Sequence, residues 1–536
     1  VDQFKSLKDP EFYLHKRGAK VSYKEWVKEF GNKPVPSRQP NEFVGRAKTD
    51  ELLKHISARI PSSDLSNQLH AFFVRHVIPK VEPALKIDWE QYFESINFES
   101  DMRKTLANVK FETFEEWFAG VEPKKKASYR QGWNDFQATC RIAMNLQIVI
   151  KPDEKQVKNT LNADNFKGRN IFNPSNTVKS VLGYVAKQFM RWVMETDSYK
   201  GCFIQGYTEE QLENQFKSDI AKMDDPMGIC WDGGNHDAHQ HSEFIEGVDN
   251  YILSKYLPMM LPLLGFSYFQ SKEIIKKATV TVNNVHLFLP GWLQGFSLFG
   301  SNRIVIFKGK LTQTTFSGHP TRTTLFNTMR IISLIRKFAT EAGLVFKRDY
   351  YIYQSGDDTY ILCESRHSEA FRKAHFKYYS ATENVVHGYG QLSKDYKEMP
   401  KLKESGYTHV DFLSKTGYIT KTEAVFTRQN RRLIATGDIT SKISHNLSEN
   451  DYLSGIKYQI EAHYSQFPCY KKMLDFKFGS ILSNQIYIVN QYSSVRESKH
   501  EYSDVILALH PDGPQMKILE HCDGDPTLCY PGLYKV

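Results

Sequence analysis

Cysteine is scarce in this chain, and what there is lies scattered. Seven residues, Cys140, Cys202, Cys230, Cys363, Cys469, Cys522 and Cys529, are spread over 536 positions without a CxxC pair. That spacing offers no disulfide framework and no structural zinc site, and it fits a reducing compartment. Long hydrophobic runs are missing as well. The most apolar stretch, Tyr256 to Phe269, is too short for a bilayer span and carries Pro258 and Pro262, so it is expected in a core rather than a membrane. No secretory signal, internal repeat or long low-complexity tract is read. The sequence starts on Val1 instead of Met, as expected of a processed product or an excised piece.

Strong charge of one sign is lacking too. Lys and Arg exceed Asp and Glu by 70 to 61, a formal +9, which favours polyanionic partners without requiring them. Apolar and charged fractions of 40% and 24% argue against disorder and for an ordinary folded protein with room for several lobes.

The informative segment is Tyr350-Tyr-Ile-Tyr-Gln-Ser-Gly-Asp-Asp-Thr-Tyr-Ile-Leu-Cys363, in which aromatic and β-branched residues flank a short polar tip. This pattern predicts a β-hairpin holding Asp357 and Asp358 at its turn. A Gly-Asp-Asp triplet alone arises by chance in roughly one chain in ten of this length. Upstream, Met227-Gly-Ile-Cys-Trp-Asp232 ends an apolar-led segment on a third carboxylate. Three carboxylates at the ends of neighbouring strands would make a cage of hard oxygen ligands suited to Mg²⁺.

Asp237 follows Asp232 past a Gly-Gly bend and is free for another task, accepting a hydrogen bond from a ribose 2′-OH; the plain alternative is a helix N-terminal acid. His236, His239 and His241, with Cys230 nearby, are read as surface residues, since a zinc site would need a different ligand chemistry. In Phe316-Ser-Gly-His-Pro-Thr-Arg-Thr-Thr-Leu-Phe-Asn-Thr328, a Ser317-Gly318 loop precedes a helix expected to run from Thr323 to Ala342. The four-residue spacing puts Thr323 and Asn327 on one face, where both can hydrogen-bond a sugar. Lys151 to Lys155 and Phe166 to Pro174 are rich in basic residues; in an extended strand Lys167 and Arg169 share a face, and with Lys155 they suit a triphosphate. Lys124-Lys-Lys126 reads as a solvated run.

Elsewhere the pattern from Phe43 to about Glu195 is mainly helical, with amphipathic runs at Leu65 to Ile78 and Trp133 to Ile148. Strands are expected at Ala278 to Val282, Val285 to Leu289, Arg303 to Phe307 and near Phe412, and a helix from Ser368 to about Thr382. An α+β sheet with helices on one face follows.

Taken in order, these elements resemble the motif series of viral RNA-dependent RNA polymerases across Lys151 to Lys415. Lys167-x-Arg169 is similar to the basic fingers motif F, Asp232 to Asp237 to motif A, Ser317 to Asn327 to motif B, Gly356-Asp357-Asp358 to motif C, and Phe412-Leu-Ser-Lys415 to motif E. The chain is similar to the polymerases of small segmented double-stranded RNA viruses such as picobirnaviruses, with tombusvirus-like positive-strand enzymes as the alternative. The spacing from Ser317 to Thr323 and the Gly-Gly-Asn-His interior of motif A depart from the usual family pattern.

The resemblance implies an α+β right-handed polymerase fold, with an antiparallel palm sheet and mainly helical fingers and thumb. Its expected divisions are an N-terminal extension (1–42), fingers (43–220), palm (221–250), a fingers insertion (251–312), palm again (313–411), then motif E and thumb (412–536). It implies two Mg²⁺ or Mn²⁺ ions on Asp232, Asp357 and Asp358, and ribose selection by Asp237 with Asn327. Lys155, Lys167 and Arg169 would hold the incoming triphosphate, with Ser317, Gly318 and Thr323 also in the substrate site. Lys394 is the expected proton donor to pyrophosphate, with Lys397 close behind. Partners would be template and nascent RNA, NTPs and viral capsid or replication proteins, in host cytoplasm or inside particles. A reverse transcriptase and a non-catalytic basic RNA-binding protein are the rival readings.

Overall fold

The computed structural model describes residues 11–14, 19–22, 37–38, 56–61, 71–72, 75–76, 83, 85–144, 146–150, 156–159, 169–234, 236–280, 283–288, 305–311, 315, 318–380, 388–413, 415–428, 449–464, 474 and 478–482. Helices and mostly antiparallel sheets are mixed along the chain, an α+β arrangement.

One sheet governs the candidate site. Its strands are β2 (Pro226–Gly233), β3 (Tyr350–Ser355), β4 (Asp358–Glu364), β5 (Tyr379–Ser380) and β6 (Gln391–Lys401), preceded in the chain by β1 (Asn170–Pro174) of another sheet. The spatial order is β3-β4-β2-β6-β5, with β2 at the centre. β2 is buried from Pro226 to Trp231 and first meets solvent at Asp232. Its two faces feed different cores: Ile229 and Trp231 join the main cluster, while Cys230 joins a second one with Phe216, Tyr353, Tyr360 and Phe412. A central strand with both faces covered reads as a continuous apolar run, which is what Met227-Gly-Ile-Cys-Trp231 is.

Gly228 is required by a close approach. A Cβ there would lie 2.1 Å from the Tyr360 hydroxyl, which donates to the His409 carbonyl at 2.9 Å. The bare backbone thus admits a three-stranded meander across this sheet: β7 (Thr408–Phe412), β8 (Lys415–Ile419) and β9 (Ala424–Arg428).

The Phe326–Glu341 helix is buried nearly all round, from Phe326 through Ile335 without interruption, and packs on β3 and on the Ser368–Tyr378 helix. Such a helix is held by packing on every side rather than by one amphipathic face.

A six-stranded sheet runs Ala19–Ser22, Glu11–Leu14, Val305–Leu311, Asn283–Phe288, Leu146–Ile150 and β1; Ser37–Arg38, Ile56–Pro61 and Gln156–Asn159 form a small one. Residues from the expected N-terminal extension therefore pair directly with 305–311.

Several expected elements end elsewhere. The helix beginning at Pro123 stops at Thr139, because Cys140 adopts a left-handed cap at φ 51°, and Leu146–Ile150 is a strand rather than the tail of that helix. The β-branched run Ile148-Val-Ile150 favours that outcome. Ala278 closes the Tyr268–Ala278 helix, with Thr279 as its cap, so no strand begins at Ala278 as expected, while the strand expected at Val285 to Leu289 is present as Asn283–Phe288. In the apolar stretch Tyr256, Leu257, Met260 and Leu261 are buried, but Pro258, Leu263, Tyr268 and Phe269 are exposed. Most of Leu65 to Ile78 lies outside the described residues. Among the described residues no helix is long and apolar enough to cross a membrane.

Candidate active site

The β3–β4 hairpin turns in two residues, since Ser355 pairs with Asp358. Gly356 takes φ +63° at the first central position, the geometry a type II′ turn asks of glycine. The turn is tied down from two sides. Gly356 N–H donates to Thr328 Oγ1 at 3.0 Å, linking it to the Phe326–Glu341 helix, and Gln354 Nε2 donates to the Gly356 carbonyl at 3.0 Å. Asp357 and Asp358 are left half-exposed at the tip.

Register then brings the other groups alongside. Thr359 pairs with Trp231 in β2, so the hairpin tip lies at the end of β2 that carries Asp232. On the other flank Lys394 of β6 pairs directly with Asp232. Directly opposed residues project to the same face, so Asp232 and Lys394 share one. Immediately after Lys394 the β6 register shifts, and Asp395 adopts φ +53°. The Gly233-Gly234 bend makes room for the lysine stem, because a Cβ on Gly234 would stand 2.9 Å from Lys394 Cε.

Electrostatics bring Asp357 and Asp395 into this neighbourhood. Partial enclosure at the strand end, then the negative charge of Asp357, raises the Asp232 carboxyl above its ordinary pKa; Lys394 opposes the rise and Asp395 adds to it. Lys397 is drawn off to Asp411 at 3.2 Å, leaving Lys394 as the lysine at this edge.

Past the bend, a short 3₁₀ turn spans His236–His239. Asp237 sits in it half-buried, its Oδ1 accepting from Thr315 Oγ1 at 3.1 Å and its carbonyl from Thr315 N–H at 3.1 Å. Asn327 is only 6% exposed, and its side-chain oxygen accepts from the fully buried Arg330 guanidinium. Thr323 donates its hydroxyl to the His319 carbonyl at 2.6 Å. Both residues expected to meet a sugar thus have internal partners in this state.

Gly318 takes φ +104°, and a Cβ there would lie 2.7 Å from the Phe172 carbonyl of β1. The loop before the Pro320–Leu325 turn is therefore pressed against β1, and Arg169, half-buried, immediately precedes that strand. Ser317, Lys155 and Lys167 lie outside the described residues. Phe412 and Lys415 pair across the β7–β8 turn, and Lys415 Nζ meets Glu209 at 3.1 Å.

The histidines read as surface residues are buried: His236 is 7% exposed, His239 1% and His241 4%. They pack beneath the start of β6, where Gln240 Nε2 donates to the His236 carbonyl at 2.9 Å and Gln391 donates to the His239 carbonyl. Burial lowers the His236 pKa; the charges of Asp357 and Asp237 oppose this, Arg330 adds to it and the Asn327 side chain opposes it.

Sequence reasoning also missed Asp249, Arg322 and Arg330. Arg322 Nη1 donates to Asp249 Oδ2 at 2.8 Å, and Arg330 Nε lies 3.6 Å from Asp249 Oδ1, all three side chains nearly or wholly buried. Burial pulls Arg330 down to about 10, with Asp249 opposing, and raises Asp249. The available signal was an arginine inside the run Met329 to Ile335, where an unpaired charge would be costly.

Carboxylate oxygens are the donors that Mg²⁺ and Mn²⁺ take, so the chemistry of Asp232, Asp357 and Asp358 fits such ions. Among the described residues no group of three or more His, Cys, Asp or Glu is already close enough to hold one. Like charges at a strand end spread apart, and a cation is what would draw them in. No protein-family model matches the chain, and no curated protein matches it.

Proposed function

We propose that the protein is an RNA-directed RNA polymerase of right-hand architecture, with β3-β4-β2-β6 as the floor of its palm. One observation carries the reading: the strand register sets Lys394 opposite Asp232 at the end of β2, and the hairpin tip with Asp357 and Asp358 lies at that same end of the sheet, near enough for the charge of Asp357 to act on Asp232. Asp232, Asp357 and Asp358 would hold two Mg²⁺ or Mn²⁺ ions, which supply Lewis-acid stabilisation of the attacking and leaving oxygens in phosphoryl transfer.

The chain's own residues do the remaining work. Lys394, opposite Asp232 and exposed, keeps a proton within reach of the leaving pyrophosphate. Asp237 presents a carboxylate for a ribose hydroxyl once Thr315 yields its hydrogen bond. Arg169, with Lys155 and Lys167, receives the triphosphate, the arginine by its planar fork. Thr328 fixes the Gly356 turn so that Asp357 is presented in one orientation.

The test uses the full chain, an RNA template, labelled NTPs and Mg²⁺ or Mn²⁺. Template-dependent synthesis is expected, and Asp357→Asn should lower it by at least about a hundredfold while RNA binding persists. Preference for dNTPs, or synthesis that survives Asp357→Asn, would sink the reading.

A further inference from the structure

A second recess lies beside the Gly318 loop. It encloses about 230 Å³ and is lined by Trp117, Tyr129, Lys179, Gly183, Lys187 and Gly318, among others. Its floor is one face of the Gly183–Glu195 helix, since positions 183, 186, 187 and 190 recur at helical spacing and all line it. Glycine at 183 keeps that floor low: an added Cβ would already sit 3.9 Å from the Trp117 ring. Trp117 and Tyr129 form the wall, ring centroids 5.8 Å apart and tilted by 37°. Both are half-buried, so each keeps surface to offer.

The lysines make the recess chemically specific. Elsewhere on the surface lysines are commonly paired, as Lys124 and Lys125 are with Glu122 at 2.5 and 2.8 Å. Among the described residues neither Lys179 nor Lys187 has a carboxylate within ion-pair distance or a hydrogen-bond partner for its ammonium group. Enclosure lowers the pKa of both, helped by Lys125 near Lys179 and by Arg191 near Lys187, the latter opposed by Glu112. Two cations without partners beside an aromatic wall suit a ligand with a flat ring and an anion. The volume falls below the roughly 300–1,000 Å³ of drug-sized sites, so it admits one ring system.

We propose that this recess binds a single nucleotide unit, its base against Trp117 and Tyr129 and its phosphate between Lys179 and Lys187. The unit is either a free mononucleotide or one residue of a single-stranded RNA. Leu325 also lines the recess and caps the Phe326–Glu341 helix, so an occupant lies at the start of the helix whose Thr328 ties down the Gly356 turn.

Calorimetric titrations of the full chain with AMP and, separately, with an eight-residue oligouridylate test this, in EDTA so that ion-dependent triphosphate binding does not contribute. Saturable binding is expected, weakened about tenfold by Lys179→Gln with Lys187→Gln and by Trp117→Ala. Lys373→Gln, on a distant exposed helix face, should leave it unchanged. AMP binding lost in the pocket variants identifies a free mononucleotide; oligouridylate binding alone, lost in the same variants, identifies a unit of a strand. No binding of either, or binding indifferent to the lysine pair, overturns the proposal. These titrations involve no synthesis, so they and the polymerase assay can fail separately.

Discussion

Asp232 joins the electrostatics of the site to its expected chemistry. Its folded-state pKa is raised, so the ionised form is disfavoured in the fold, and stability falls as pH rises through that folded value. At neutral pH without divalent ions, Asp232→Asn should therefore raise Tm slightly, by about 1 °C given the exposure of the group. Added Mg²⁺ should stabilise the wild type and do nothing for the variant; thermal scans with and without the ion check both, and an equal Mg²⁺ response in the two proteins would remove Asp232 from any ion site. Asn327 makes a different point. Its carboxamide accepts from Arg330, so Asn327→Ala leaves a buried guanidinium short of an acceptor and should cost about 1–3 kcal/mol in urea denaturation. A residue serving only a bound sugar would show no such loss.

At the scale of elements, the hairpin was legible because its signal is local: alternating aromatic and β-branched residues around a turn that needs glycine at its first position. Removing the tie between the turn and its helix should be felt directly. Thr328→Val takes away the acceptor for the Gly356 N–H and should cost about 1 kcal/mol and speed exchange of that amide. Unchanged exchange would show that the helix does not hold the turn. The strand ending on Asp232 could be read for the same local reason, an apolar run closed by a carboxylate. The partnership of Lys394 with Asp232 could only be suspected, since strand pairing depends on a register that no short window contains. Asp395 was missed because the shift that brings it near is an irregularity of the folded ladder. The three buried histidines look like a polar surface segment until β6 covers them. The His241 ring meets the Gly390 carbonyl at 3.3 Å, a partner far along the chain that leaves no periodic trace.

Over the whole molecule, acid should act through histidines held neutral. His319 and His375 are both lowered to about 3 by burial, with Arg322 adding to the effect at His319. His375 stacks on Tyr379 with centroids 4.6 Å apart and shares a hydrogen bond with Ser393 at 3.0 Å. A depressed folded pKa gives stability that is full above the unfolded value near 6.5 and lost as pH falls toward the folded one. Between pH 7 and pH 5 each histidine should take away up to about 2 kcal/mol. Urea denaturation at the two pH values measures the loss, and His375→Phe should flatten the dependence; an equally steep variant would exclude that residue. The central position of β2 has a further consequence, for the order of events in folding. Its partners arrive late in the sequence: residue 231 waits for residue 359, and residue 232 for residue 394. Pairings of such long contact order form slowly, because the loop must close before any bond rewards it. The carboxylates are thus kept apart in a growing chain until its strands from 350 to 401 have been made, and the site and the sheet mature in one step.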